Sequence, residues 1–476
     1  MEHRRLPYNP ARDGALEDFL FNAGVEFPCG GASLCGGCKI RVVSGAVPVT
    51  AEMQDTFSEP ELRAGWRLAC RAVARGPVEL EVAQWSQQIL TDEAAVPFEP
   101  RPGIGAVVDV GTTTLVAQQV ALVSGEVSKV VTALNEQGRY GADLMTRIEY
   151  ERRHPGALKE IIRAQVRGMV ADMGVLEEIL LVGNTCMHHL FCGLSVEPLA
   201  AVPFRSPHLG AHSLPPAVLG APALFLPCAG GFVGSDLLAG LVATGLLDSF
   251  EPGALLDLGT NGEIAVGNCD SIACVSTAAG PAFEGGRINQ GMRAQHGAID
   301  RVTVRDGRLA CHVIGGGVAR GLCGSGLVDA VAAALELGWV APGGRLTNTP
   351  KEIRLAAEVR VTQSDIRELQ LAKGAVAAGL HVLSKDRPIA GNRVFLAGAF
   401  GNYIRAESAR RVGLLPTWAT APVAAGNTAL RGARMLLLAP SSRAGMLRQF
   451  AAKVRHVELA VDPRFQEMFV ASMQFA

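Results

Sequence analysis

Four cysteines in the first 70 residues, Cys29, Cys35, Cys38 and Cys70, have the type and spacing to wrap one iron-sulfur cluster. The pattern is C-x5-C-x2-C and then C-x31-C, so three thiolates share one loop and the fourth arrives on a later strand. Three close ligands and one distant one suit a 2Fe-2S group. Gly30, Gly31, Gly36 and Gly37 let the loop bend tightly and turn its amides toward sulfur. Zinc and ordinary buried thiols are the competing readings, although zinc ribbons usually offer two C-x2-C knuckles and this loop offers one.

A second chemistry is carried by a repeat. Val107-Val-Asp-Val-Gly-Thr-Thr113 returns 148 residues later as Leu255-Leu-Asp-Leu-Gly-Thr-Asn261. Each copy reads as a buried strand, a tight Gly turn and a second strand, Leu115 to Val120 and Glu263 to Val266. An Asp at a strand end beside turn amides can hold phosphate oxygens and a metal ion together. For one copy alone an ordinary hairpin turn competes with that reading, and two copies weaken it. A third piece, Val394 to Asn402, runs an apolar strand into a Gly-x-x-Gly turn suited to close approach of a nucleoside.

No G-x-x-x-x-G-K-[ST] string occurs; Gly321-Leu-Cys-Gly-Ser-Gly326 lacks the lysine, and Gly315 to Gly326 reads as a Gly-rich turn and helix entry near the cleft. Glu263 is a candidate for positioning water. Glu284 is a candidate for water or ribose, with a surface salt bridge as the plain alternative. His188 and His189 follow the apolar strand Ile179 to Val182 and read as a polar pair at a helix start rather than as metal ligands.

The elements that must position these residues are legible. Ala15 to Gly24 predicts a short amphipathic helix; Lys39 to Val43, Trp66 to Cys70 and Val78 to Val82 predict strands. Residues 1 to 88 are therefore a small β-grasp unit that resembles a 2Fe-2S ferredoxin, with the first gap of adrenodoxin-like members. A linker follows at 89–103, and its Pro-rich 13 residues from Thr91 to Gly103 span at most about 45 Å if extended, enough for a mobile head. Residues 104–205 are expected to form a first lobe whose middle region, about 140 to 205, is a candidate for docking a partner, its helical pattern at Leu158 to Leu181 being equally that of a plain packed helix; 206–476 are expected to form a second lobe with the C-terminal segment.

The chain has 476 residues, 49% of them hydrophobic, so it can bury several cores. A net charge of -1 without a basic run argues against a nucleic-acid or anionic-membrane partner. No leader-like start or run of 18 apolar residues is found, which predicts a cytoplasmic protein. Cys186, Cys192, Cys228, Cys269, Cys274, Cys311 and Cys323 are scattered and read as reduced core thiols.

The three segments 107–113, 255–261 and 394–402 together resemble the two phosphate motifs and the adenosine motif of the actin, sugar kinase and chaperone ATPase superfamily. The resemblance implies two ribonuclease H-like lobes around a cleft. Asp109 and Asp257 would face phosphates and Mg2+; Gly111, Thr112, Thr113, Thr114, Gly259, Thr260 and Asn261 would hold phosphate oxygens; Gly398 and Gly401 would flank adenosine. Fused to a 2Fe-2S domain, this ATPase resembles the reductive activators of corrinoid-dependent enzymes. The strings Ala133 to Asp143, Val182 to Leu190, Ala229 to Asp236, Asn289 to Arg293 and Ala425 to Leu430 carry that likeness over residues 10 to about 470.

The family resemblance implies an ATP-dependent oxidoreductase that returns one electron to the cob(II)alamin of a corrinoid protein or methyltransferase. Each 100 mV of uphill transfer costs about 2.3 kcal/mol per electron, which ATP can cover from a cluster near roughly -400 mV. A low-potential electron donor of unknown identity is implied, and a homodimer stays open. The alternatives are a small-molecule kinase with a regulatory cluster, and a nucleotide-gated sensor.

Overall fold

The structure is a computed structural model that describes residues 4–23, 25, 33, 38–82, 92–141, 143–347, 351–385 and 387–476. Cys29 and Cys35, with Gly30, Gly31, Gly36 and Gly37, lie outside the described residues, as do 83–91, the end of the N-terminal unit and the first residues of the linker.

The N-terminal unit is a four-stranded sheet of β1 (Arg4–Tyr8), β2 (Lys39–Ser44), β3 (Trp66–Leu68) and β4 (Val78–Val82), in the order β1-β4-β2-β3. Alternation builds it: Val78, Leu80 and Val82 point inward while Glu79 and Glu81 do not. Leu20 of the helix Leu16–Asn22 packs with Ile40, Leu68 and Leu80 in a separate core, giving the expected β-grasp unit. One element differs from expectation. The strand predicted to reach Cys70 stops at Leu68, and Ala69–Arg71 form a 3-10 turn. The Ala69 amide donates to the Cys38 carbonyl at 2.8 Å, so the turn is tied to the cluster loop's end and lifts Cys70 out of the pleat.

Two six-stranded sheets make up the rest of the architecture. The first contains β5 (Ile104–Val110), β6 (Thr114–Ala121), β7 (Val127–Leu134), β8 (Glu178–Val182), β9 (His212–Leu214) and β10 (Ala223–Phe225), ordered β7-β6-β5-β8-β10-β9. The second lobe contributes β11 (Gly253–Leu258), β12 (Gly262–Gly267) and β13 (Ile272–Thr277). A small sheet of β14 (Ala298–Arg305), β15 (Arg308–Val313) and β16 (Gly321–Leu322) follows, then the hairpin of β17 (Glu352–Arg354) and β18 (Arg360–Thr362). Strands β19 (Val394–Ala397), β20 (Val423–Gly426) and β21 (Val454–His456) complete the second large sheet, ordered β20-β19-β11-β12-β13-β21.

In each sheet three strands run as an antiparallel meander and a later strand joins parallel to the first, β8 beside β5 and β19 beside β11. This shared order is the ribonuclease H-like arrangement expected from the repeat. The division between lobes moves, however. Strands β9 and β10 belong to the first sheet, so residues beyond 205 complete the first lobe rather than opening the second. The helical stretch read to Leu181 ends at Ala171; Gly174 adopts a φ of +73°, and β8 follows.

The lobes share a core in which β5, β6 and β8 of one sheet and β11, β12 and β13 of the other contribute buried side chains. These pack with the helices Ser235–Thr244 and Thr428–Leu438. Those helices cross closely: a Cβ on Gly432 would lie 1.8 Å from the Ala239 carbonyl oxygen. No described helix is long and apolar enough to cross a membrane.

Candidate nucleotide and cluster sites

Hairpin register delivers both halves of the phosphate site. In the first lobe Val110 pairs with Leu115, leaving Gly111, Thr112, Thr113 and Thr114 in the turn after Asp109. In the second, Leu258 pairs with Gly262, leaving Gly259, Thr260 and Asn261 after Asp257. A Cβ on Gly111 would meet the Thr114 carbonyl at 2.5 Å, so the first turn closes only around glycine. The turns meet: Thr113 Oγ1 and Thr260 Oγ1 are 3.3 Å apart. Gly398, with a φ of +78°, presses on the second turn, its absent Cβ falling 2.8 Å from Asp257 Oδ1. Gly401 packs back on Leu396. The third segment therefore reaches Asp257.

Carboxylates crowd this junction. Burial raises the Asp109 carboxyl to about 8, with Asp236 and Asp257 adding repulsion and Asn427 opposing through a hydrogen bond. Burial takes Asp257 up to about 6. Asp236 is raised by burial and by Asp257, and Glu263 is raised by burial and by Asp236 and Asp257. Among the described residues no three His, Cys, Asp or Glu side chains converge closely enough to hold a metal directly. An Asp at the end of each strand beside a phosphate turn suits Mg2+, which keeps several waters and binds through one or two carboxylates plus phosphate.

Asp236, absent from the candidates read in the sequence, is placed by the first turn of the Ser235–Thr244 helix. Its signal was an Asp opening an otherwise apolar helix after Gly-Gly-Phe-Val-Gly-Ser. Two asparagines were also missed. Asn184 Oδ1 caps the helix Thr185–Cys192 by accepting the Met187 amide at 3.0 Å, which leaves Nδ2 to donate to Thr112 Oγ1 at 2.9 Å. Asn427 Oδ1 accepts the Leu430 amide at 3.0 Å, leaving Nδ2 for Asp109. Both sit in Gly-Asn-Thr strings, 183–185 and 426–428, and that shared tripeptide was the available signal.

Glu284 faces the second turn. It ends a 3-10 turn and accepts the Thr260 hydroxyl at 3.1 Å to each oxygen. Glu263 is buried on β12 opposite Asp257, with Ser276 Oγ donating at 3.4 Å. The Gly-rich stretch 315–326 serves packing: Cβ atoms on Gly321, Gly324 and Gly326 would strike the carbonyls of Gln290, Phe283 and Ile299. His188 and His189 are buried in the helix capped by Asn184. Burial pushes His188 down to about 3, and His189 accepts from Ser206 Oγ while its Nδ1 donates to the Ser195 carbonyl at 2.7 Å.

The two described cluster thiols, Cys38 and Cys70, are buried and hydrogen-bonded to one another. That bond, with help from Ser33 and Arg71 against burial, lowers Cys70 to about 6. A thiolate at neutral pH is the form that ligates iron, so these residues fit the cluster. Six cysteines of the body behave oppositely. Burial raises Cys186 and Cys192 to about 12, and raises Cys228, Cys274, Cys311 and Cys323.

Comparison with known proteins covers all three parts. Residues 7–75 match the 2Fe-2S iron-sulfur cluster binding domain, 104–249 the RACo middle region, and 251–476 the C-terminal domain of RACo, the ASKHA domain. The corrinoid activation enzyme RamQ of Eubacterium limosum is 34% identical over 422 residues, 79% of this chain and 71% of that protein. The Co(II) methylated amine-specific corrinoid protein reductase of Methanosarcina barkeri is 28% identical over 418 residues, 78% of this chain and 77% of that one. A solved structure described as a reductive activator for corrinoid, iron-sulfur protein superposes with a TM-score of 0.70 at 24% identity, covering 97% of this chain and 96% of its own.

Proposed function

The chain belongs to the RACo family of corrinoid activators, and from that premise we propose how its parts carry out ATP-dependent reductive activation of a corrinoid protein. The substrate is the inactive cob(II)alamin of a cobalamin-binding protein or methyltransferase. One electron converts it to cob(I)alamin, and ATP is hydrolysed to ADP and phosphate. A 2Fe-2S group, held by Cys29, Cys35, Cys38 and Cys70, supplies the single low-potential electron.

Every other step belongs to side chains. Thr112, oriented by Asn184, and Thr260, oriented by Glu284, offer hydroxyls to phosphate oxygens from opposite lobes. Asp109 and Asp257 would hold Mg2+, with Asp236 beside them. Glu263, buried opposite Asp257 and raised by burial and the neighbouring carboxylates, positions the attacking water. Because the turns meet through Thr113 and Thr260, a γ-phosphate entering there must change the separation of the lobes. A partner gripped by both lobes feels that change, and the coupling requires that it bind the two arrangements with different affinity.

The observation that carries this reading is the occurrence, in one chain, of a buried Cys38–Cys70 pair in which the Cys70 thiol is lowered, and a two-turn phosphate site ringed by carboxylates. A sugar kinase needs the second and has no use for the first. The test is anaerobic: cluster-loaded protein, chemically reduced, is mixed with a cob(II)alamin-loaded corrinoid protein and the cob(I)alamin absorbance is followed. Reduction should depend on Mg-ATP, and equal reduction without nucleotide would sink the coupling. Cys70→Ser should lose the cluster spectrum and cob(I)alamin formation while keeping ATP hydrolysis.

A further inference from the structure

The helix Thr428–Leu438 touches two things that the reaction must connect. Asn427, Arg431 and Arg434 fall at i, i+4 and i+7, and so share one helix face. At the end of that face Asn427 Nδ2 reaches Asp109 in the phosphate site, while its Oδ1 is committed to the Leu430 amide. Along the same face two guanidiniums grip the linker that follows the cluster domain. Arg431 Nε lies 3.2 Å from Asp92 Oδ2, and Arg434 Nη2 lies 3.4 Å from Asp92 Oδ1.

The grip extends to the backbone. Arg434 Nη1 donates to the Asp92 carbonyl at 2.7 Å, Gln118 Nε2 donates to the same oxygen at 2.6 Å, and Arg434 Nη2 donates to the Ala94 carbonyl. Farther along, the Glu99 amide donates to the Leu438 carbonyl at 2.8 Å. The Asp92 carboxylate also lies 3.4 Å from where a Cβ of Gly426 would stand, next to Asn427 itself. The second half of the linker is thus part of the ATPase surface, and the chain leading to the cluster domain is held at Asp92.

We propose that this helix carries nucleotide occupancy to the anchor of the cluster domain, with Asn427 as the positioning residue at Asp109 and Asp92 as the point that is moved. When a nucleotide and its cation enter, the Asp109 carboxylate turns toward them and withdraws from Asn427. The Asn427 amide cannot follow alone, because its oxygen caps the helix. The helix start moves with it. Close crossing at Gly432 and Ala239 guides that motion as a slide along the Ser235–Thr244 helix, whose first turn holds Asp236 in the same site. Asp92, ion-paired to the helix body, is carried along, and the cluster domain's point of attachment shifts.

The electron-delivery consequence rests on the function proposed above, but the motion is measurable without it. Hydrogen exchange of residues 92–103 in full-length, cluster-loaded protein would be compared without nucleotide, with Mg-ADP and with Mg-AMPPNP. Exchange should differ by at least about fivefold between states. Asp92→Asn should abolish that difference and the ATP stimulation of cob(II)alamin reduction, with ATP hydrolysis within about twofold of the parent; Asp92→Glu should restore both. If Asp92→Asn folds poorly, Arg431→Gln is expected to give the same result. Identical exchange in all three states, or an Asp92→Asn protein that keeps the nucleotide response, would overturn the proposal. Nucleotide-dependent exchange without cob(II)alamin reduction would support it while refuting the function. ATP-dependent reduction with unresponsive exchange would do the reverse.

Discussion

The two phosphate turns share an Asp and a Gly-Thr pair, but differ in length and in what holds them. The first has four residues between its closing pair and is braced by amides, Asn184 on Thr112 and Asn427 on Asp109. The second has three and is braced by carboxylates, Glu284 on Thr260 and Glu263 opposite Asp257. Amide donors bind an anion without having to titrate. Carboxylates accept protons and attract a hydrated cation. The difference points to a division of labour within the proposed mechanism: an Asp from each turn shares the cation, while the neighbours of the first turn orient phosphate contacts and those of the second position the water.

The largest test of that division is removal of each Asp. Asp257→Asn and Asp109→Asn should each lower ATP turnover by about 10²- to 10³-fold, in line with loss of one preorganised electrostatic contact; steady-state phosphate release measures it. A variant that retained turnover would remove its turn from the mechanism. Glu263→Gln should lower kcat by about 10²-fold with KM for ATP little changed, as expected for a group that acts on water in the transition state. Asn184→Ala should instead act chiefly on KM, raising it by roughly fivefold, the worth of about one hydrogen bond. If the two variants exchanged signatures, the specialisation would be reversed.

The smallest effect is on stability. Asp109 titrates near 8 and Asp257 near 6 in the fold, against ordinary carboxyl values when unfolded. Between these limits the native state binds more protons than the unfolded state, so stability of the nucleotide-free protein must fall as pH rises from about 4 to about 8. Thermal melting across that range should show the decline. Asp109→Asn should flatten it and melt higher than the parent at pH 8, whereas a parallel decline in the variant would mean that Asp109 is already ionised.

Much of this was legible because the signals are local. The cysteine spacing and the repeated Asp-apolar-Gly-Thr string each lie within one loop or hairpin, and the ribonuclease H-like strand order followed from the repeat. What escaped depends on pairing between distant segments. Asn427 acts on Asp109 only because β20 and β5 belong to sheets whose helices cross at Gly432, and nothing near either residue announces it. The first lobe's end was misplaced because β9 and β10, of three residues each, are too short to show alternation. Cys70 was placed on a strand because the apolar run continues through Ala69, whereas the Ala69 to Cys38 hydrogen bond curls the chain there.

The opposed environments of the cysteines bear on how the protein is built. Iron is delivered to thiolates, and the hydrogen bond to Cys38 favours the thiolate of Cys70, whereas burial disfavours it for Cys186, Cys192, Cys228 and Cys274 inside packed cores. A chain with eleven cysteines therefore advertises few of them to an incoming metal. Maturation of the head and folding of the body can proceed on the same polypeptide without the body's thiols competing for iron.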